Sequence, residues 1–371
     1  MKLNYKLGEL IRNIDVKNKD LHCNNLKGLS MTKEFRASTS NIVGTDLSKY
    51  KIVAYKQIAC DFMSAIRVHK MPIAFNSEME EILVSPAYAV FEVIDENIIL
   101  PEYLMMWFRR SEFDRYADFR SDAAIRGGYG WNELCETEIK LPSLEEQRKK
   151  VQAYKTITDR IELKKKINDN LLDSVQAIFR SWFVDYDPFD GVCPSNWETG
   201  CVEDIAEFFD SMRKPLSSLE RTDMERIYPY YGAVSIVDYV DDYIFDGEYL
   251  LVSEDGIYVV DENGHPLIQH ISGKFWANNH AHILKGKSGF NEDSLYLFLA
   301  NTNMAPIVTG AAQPKINQAN LKSFPITIPD SETMLKFNNI IQPFFDQRLT
   351  NESEIKKLEA LQSLLLTRLV D

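Results

Sequence analysis

Long apolar runs are missing from this chain. No stretch approaches the ~20 residues that a membrane-spanning helix needs. The opening residues, MKLNYKLGELIRNIDVKNKD, lack the apolar core of a secretory signal. Cysteine is scarce: Cys23, Cys60, Cys135, Cys193 and Cys201 are an odd number in 371 residues, with no C-x-x-C spacing. That argues against a disulfide framework or a structural zinc site and for a reducing, cytoplasmic setting. An excess of positive charge is also missing. The net charge is −13, and residues 185–330 alone carry −14, against −1 for 1–144, +3 for 145–184 and −1 for 331–371. An acidic balance disfavours a general affinity for nucleic acid, which depends on neutralising phosphates.

Complete catalytic signatures are absent as well. The nearest match to a methyltransferase Asn/Asp-Pro-Pro-Tyr/Phe loop is Ser85-Pro86-Ala87-Tyr88, which lacks the amide or carboxylate acceptor, and no F-x-G-x-G accompanies it. Gly286-Lys287-Ser288 fits only a relaxed phosphate-loop pattern and reads as a connecting loop. Glu138-Ile139-Lys140 has no second carboxylate placed for a metal and reads as a half-exposed strand. His280 and His282 fall on one strand face, a start on a metal site without an evident third ligand.

What is present is a long amphipathic helix, twice. Glu145–Phe183 places Val151, Tyr154, Ile157, Ile161, Ile167, Leu171, Val175, Ile178 and Trp182 at helical spacing. Glu332–Val370 does the same with Phe337, Ile341, Phe345, Ile355, Leu358 and Leu365. Polar residues interrupt both stripes near the middle, at Lys164–Lys166 and Asn351–Ser353, and a proline precedes each helix closely, Pro142 and Pro329. The two register at an offset of 187, with Leu171 on Leu358 and Ile178 on Leu365. A short apolar strand, EIKLP or FPITIP, leads into each. A strand-like Val84–Glu92 is answered by Trp276–Leu284, and PEYLMMWFRRSEFDRYA by EDSLYLFLANTNMA. The chain therefore reads as an internal repeat. Residues 1–144 form a β-rich domain, 145–184 a helix, 185–330 a second β-rich domain and 331–371 a second helix. Each helix is ~57 Å long at 1.5 Å per residue and has no groove of that length in one domain, so the two are expected to pack together as a coiled-coil pair.

These residues resemble a known family. LPSLEEQ before the first helix, Phe179-Arg180-Ser181-Trp182-Phe183-Val184-Asp185 with Pro188-Phe189 after it, and GAAQPKINQANLKSFPITIP in the second half are similar to the DNA-specificity subunit of type I restriction–modification systems. The resemblance implies an α+β fold: two β-rich target-recognition domains joined by two long antiparallel helices, packed as a coiled-coil pair in a pseudo-two-fold repeat. It implies that each domain reads one half of a bipartite, asymmetric site in double-stranded DNA while the helices set the gap. It further implies a non-catalytic chain that holds two methyltransferase subunits and, in the restriction complex, restriction/translocase subunits. S-adenosylmethionine, ATP and Mg belong to those partners, with no cofactor or metal in this chain and no membrane association. The rival expectation is a coiled-coil interaction scaffold without a direct role on DNA.

Base-reading residues do not transfer by motif, so candidates come from chemistry. Lys33, Arg36, Ser38 and Thr39 form a basic, hydroxyl-rich cluster suited to phosphates and base edges. Arg120, Arg126, Tyr129 and Trp131 combine guanidinium and aromatic groups around Gly127-Gly128. In the second half Gln313, Lys315 and Asn317 occupy the equivalent loop, and Arg213 and Lys214 stand out in an acidic region. Tyr228, Tyr230 and Tyr231 suit a core as well as a contact.

Overall fold

The computed structural model describes residues 3–39, 44–63, 70–122, 129–256, 259–310 and 312–368. It divides into two compact units. The first comprises residues 1–164 with 353–371, the second residues 165–352. Each unit thus takes half of each long helix, so the division passes through the helices and not at their ends.

In the first unit, strand Leu3–Lys6 pairs antiparallel with Glu138–Leu141, which leads directly into the long helix Leu144–Phe183. A four-stranded antiparallel sheet runs in the order Ile11–Ile14, Ala89–Val93, Ile58–Cys60, Ile73–Phe75. Against it lies helix Pro101–Phe108, which starts on proline at the position where a missing N–H costs nothing. Tyr103, Leu104, Met105, Met106, Trp107 and Phe108 of this helix are all buried, so it is core on every side. Tyr154 of the first long helix belongs to the same core, and Leu366 of the second packs against it.

The LPSLEEQ motif has a physical explanation here. Ser143 caps the helix: its hydroxyl accepts from the Glu146 N–H at 3.3 Å, and the Glu146 carboxylate accepts from the Ser143 N–H at 3.1 Å. Gln147 is fully buried. Its oxygen accepts from the Leu100 N–H (3.0 Å), and its amide donates to the carbonyls of Ile98 (3.0 Å) and Pro142 (3.1 Å). One side chain therefore clamps the start of the helix to the domain.

In the second unit, strand Glu198–Cys201 pairs antiparallel with Pro325–Ile328, which leads into the second long helix, Ser331–Thr367. A six-stranded mixed sheet runs Ala206–Phe208, Ala281–Gly286, Phe245–Ser253, Ile268–Ala277, Tyr228–Tyr231, Ile236–Val240. Among the described residues its one parallel pair joins Tyr228–Tyr231 to Ile268–Ala277. The stretch expected to run as one strand from Trp276 to Leu284 is broken at Asn278, whose side chain accepts from the His280 N–H at 2.9 Å and turns the chain. Helix Glu292–Ala300 covers one face of this sheet.

The repeat is visible element by element. Helices Trp131–Cys135 and Gln318–Lys322, strands Glu138–Leu141 and Pro325–Ile328, and the two long helices all begin 187 residues apart. The residue 187 after Gln147 is Met334, also fully buried. The second unit thus fills with an apolar side chain the place where the first uses a hydrogen-bonded one.

Within each unit the helix halves run antiparallel. In the first, the Gln362 amide donates to the Thr158 hydroxyl (2.8 Å), while Arg160 and Lys164 meet Glu354 at 3.2 and 2.7 Å. In the second, Asn351 bonds Asn168, and the rings of Trp182 and Phe183 pack on Phe337 at 5.8 and 4.7 Å. The second helix carries Pro343 in its interior, which the periodicity did not flag. Its ring removes one helical hydrogen bond, so flanking packing by Ile341 and Phe345 holds the helix there.

Candidate nucleic-acid interface

The first unit presents its basic cluster on a hairpin, Lys27–Leu29 with Phe35–Ala37. Arg36 is exposed, and its guanidinium donates to the carbonyls of Leu29 (3.2 Å) and Ala37 (3.2 Å) and to the Thr39 hydroxyl (3.3 Å). These bonds hold the arginine and Thr39 side by side. Ser38 is half-buried beside them.

Lys33 lies elsewhere. It adopts φ 64°, is buried, donates to the Phe108 carbonyl and pairs with Asp114 at 2.8 Å. Burial pushes its pKa down, with Asp114 opposing. Its ammonium is committed to the domain interior, so it is corrected from DNA contact to core cation.

Around the second cluster, Arg120 is exposed in the last turn of helix Ser111–Asp122. Arg126 lies outside the described residues. Tyr129 is buried, shares a hydrogen bond with the Thr137 hydroxyl at 2.9 Å and belongs to the core. Burial drives its phenol pKa upward. Trp131 is half-buried against Phe91, with ring centroids 5.6 Å apart. Both aromatics therefore act in packing, where the sequence suggested stacking on a ligand.

In the second unit the loop Thr309 to Asn317 is tied at both ends. Gly310 has φ 86°, and a side chain there would collide with the Gln313 carbonyl. The backbones of Thr309 and Lys315 exchange two hydrogen bonds of 2.8 Å. Lys315 reaches Glu254 at 2.9 Å. Asn317 caps helix Gln318–Lys322 by accepting from the Asn320 N–H at 2.8 Å. Gln313 stands exposed at the tip. The structure thus separates the three: Gln313 points outward, while Lys315 and Asn317 fix the loop.

Arg213 is drawn inward by carboxylates, meeting Glu254 at 2.5 Å and Asp210 at 3.4 Å and donating to the Ala281 carbonyl at 2.7 Å. Lys214 is exposed next to it, and its carbonyl accepts from the Trp276 indole at 2.6 Å. His282 is fully buried, with Nδ1 against Asp210 (2.6 Å) and Nε2 against the Ile316 carbonyl (2.8 Å). His280 turns instead to Asp255 at 2.6 Å. The two histidines therefore do not share a site. Burial raises the Asp210 and Glu254 pKa values, but hydrogen bonds from His282 to Asp210 and from Arg213 and Lys315 to Glu254 outweigh it. Both carboxyls sit below their ordinary range.

A partly exposed group is not evident from the sequence. The rings of Tyr228 and Tyr243 pack at 5.0 Å, and the exposed Lys274 ammonium sits 4.3 Å above Tyr243. The three come from different strands and segments, so only Tyr228 was visible as a candidate. An aromatic pair with a cation over it is a suitable platform for stacking and phosphate contact.

Residues 194–361 match the family model described as the type I restriction modification DNA specificity domain. A putative type I restriction enzyme specificity subunit of Haemophilus influenzae is 39% identical over 128 residues, covering 34% of this chain and 32% of that relative, so the match spans about a third of its length. The MjaIX specificity subunit of Methanocaldococcus jannaschii is 24% identical over 303 residues, covering 75% of this chain and 70% of that one. The crystal structure of a type I restriction–modification S subunit from M. genitalium matches with a TM-score of 0.57 at 12% identity, over 100% of this chain and 96% of the other, which establishes a shared fold. Residues 194–361 thus match a type I restriction modification DNA specificity domain, and the chain as a whole is similar in fold to a specificity subunit of type I restriction–modification systems.

Proposed function

We propose that this chain is the sequence-reading, non-catalytic subunit of a type I restriction–modification assembly. The observation that carries the reading is the match of residues 194–361 to a DNA specificity domain, together with the 187-residue repeat that builds an equivalent strand–helix frame in the first unit. Each unit reads one half of a bipartite site in double-stranded DNA, and the helix pair sets the gap between the halves. Adenine methylation with S-adenosylmethionine, and any ATP- and Mg-dependent cleavage, belong to methyltransferase and restriction/translocase subunits docked on the helices.

Arg36 with Thr39, Arg120, Lys214, Gln313 and the Tyr228–Tyr243–Lys274 group are the contacts this reading assigns to DNA. Glutamine reads adenine through two hydrogen bonds, and arginine reads guanine or anchors phosphate. The −14 charge of residues 185–330 means that the chain by itself neutralises few phosphates. Partner subunits clamped around the duplex supply that neutralisation. Salt-titrated DNA binding, with and without the methyltransferase subunit, tests this. The isolated chain binds weakly at physiological salt, and the complex binds tightly and specifically. Tight specific binding by the isolated chain would contradict the charge argument, and no specific binding by the complex would contradict the function.

A further inference from the structure

Among the described residues the second unit holds two groups of two carboxylates and one histidine, and they differ in one respect. In the first, Asp210 and Glu254 are met by Arg213 and Lys315, and both nitrogens of His282 already face acceptors. Both ring nitrogens of that histidine are thus already engaged, and cations already face both carboxylates. The second group is Glu248, His270 and Asp293, and its charges are not balanced in this way.

Strand register places Leu250 opposite His270 and Glu248 two residues away on the same face. Helix Glu292–Ala300 lies over that face and brings Asp293 down in its first turn. Tyr296 stacks on the His270 ring at 6.2 Å, and Phe345 of the second long helix closes the side at 6.0 Å. His270 Nε2 lies 2.8 Å from Glu248 Oε1. A carboxylate only accepts, so this nitrogen carries the hydrogen, and in the neutral imidazole the Nδ1 lone pair then faces Asp293. Asp293 Oδ1 is 3.6 Å from Nδ1, beyond hydrogen-bond length. The residue is only 3% exposed, and this oxygen has no hydrogen-bond partner. A buried carboxylate oxygen without a partner is costly.

A divalent ion resolves all of these features at once. Ligands at zinc distances of ~2.1 Å in a tetrahedral shell stand about 3.4 Å apart, close to the observed gap. One donor atom from each of the three residues lies within 4.8 Å of the others. We infer that His270 Nδ1 and Asp293 form a site for a divalent transition-metal ion of the zinc class, with Glu248 orienting the imidazole through Nε2–H. Water completes the shell. A carboxylate holding the far nitrogen of a ligating histidine is the usual second support of such sites. The ion pins helix Glu292–Ala300 to the sheet and so fixes the scaffold behind the recognition surface.

The test uses the full-length chain, stripped with chelator and titrated with Zn²⁺ by calorimetry, with Co²⁺ ligand-field absorption reporting the geometry. The expected result is one saturable equivalent per chain and a zinc-dependent rise in Tm. Asp293→Asn and His270→Gln lose that equivalent, Glu248→Gln weakens it ~10–100-fold, and Asp210→Asn keeps it. Absence of saturable zinc binding by the unaltered chain overturns the inference. So does binding that survives both His270→Gln and Asp293→Asn.

Discussion

Asn168 and Asn351 face each other across the two long helices, joined by a buried hydrogen bond of 2.8 Å from the Asn351 amide to the Asn168 carbonyl oxygen. Asn351 stands where the apolar stripe of its helix is interrupted, and Asn168 lies just past the Lys164–Lys166 interruption of the other. A buried amide pair in a helix seam is satisfied in one register and unsatisfied in its neighbours, so it selects alignment at a cost in stability. Asn351→Ala strands the Asn168 amide and is expected to lower the stability of the second unit by ~1–3 kcal/mol. Replacing both by Leu recovers most of that loss. A double-mutant cycle by urea denaturation measures the coupling, and additive effects of the two substitutions would remove the register role.

Gln147 makes a prediction for the first unit. Gln147→Leu keeps the volume but leaves the Leu100 N–H and the Ile98 and Pro142 carbonyls without the partner that now satisfies them. Each such group costs ~1–3 kcal/mol when buried, less wherever water reaches it. Denaturant titration should show a loss of at least about 2 kcal/mol, with faster amide exchange at Leu100. Unchanged exchange there would show that the clamp is dispensable.

The Asp210–Glu254 network sets a pH dependence. Both folded-state pKa values are depressed, so their contribution is complete above the unfolded carboxylate range near pH 4 and disappears as pH falls through the lower folded values. The second unit should therefore lose stability on acidification below about pH 4. Asp210→Asn should flatten that slope while lowering stability at neutral pH. Denaturation midpoints between pH 3 and 7 provide the check, and a slope identical in the variant would refute the assignment.

Arg36 and Gln313 should separate by the kind of defect. Gln313→Ala is expected to relax one position of one half-site, by ~1–3 kcal/mol of discrimination. Arg36→Ala acts on the other half-site, or weakens all sequences together if it holds phosphate. Binding selections on randomised half-sites distinguish these outcomes. Loss of discrimination in the same half-site for both variants would contradict the two-reader arrangement.

Much of this architecture was legible because it is local or periodic. The apolar spacing marks both helices, the 187-residue offset marks the repeat, and Ser143 with Glu146 marks a helix start. Contacts distant in sequence were not legible. Lys33 in KEFRASTSN reads as a solvated loop cation until Asp114 and the Phe108 carbonyl close on it. Arg213 looked like a basic outlier in an acidic segment, yet those acids, Glu254 and Asp210, are what draw it inward. Lys274 gains meaning only when the sheet lays it over Tyr243. Pro343 broke a local rule that tertiary packing overrode.

Under the proposed function, the two units read two half-sites at a distance set by the helices. Its most direct test is long-read methylation mapping in a host without adenine methylation, after co-expression with the cognate methyltransferase subunit. The unaltered chain should yield one bipartite, asymmetric motif. Seven-residue insertions after both Lys164 and Glu352 add ~10 Å at 1.5 Å per residue. They should lengthen the gap by about three base pairs at ~3.4 Å each and leave both half-sites intact. Altered half-sites at constant spacing, or no new methylation at all, would contradict the account.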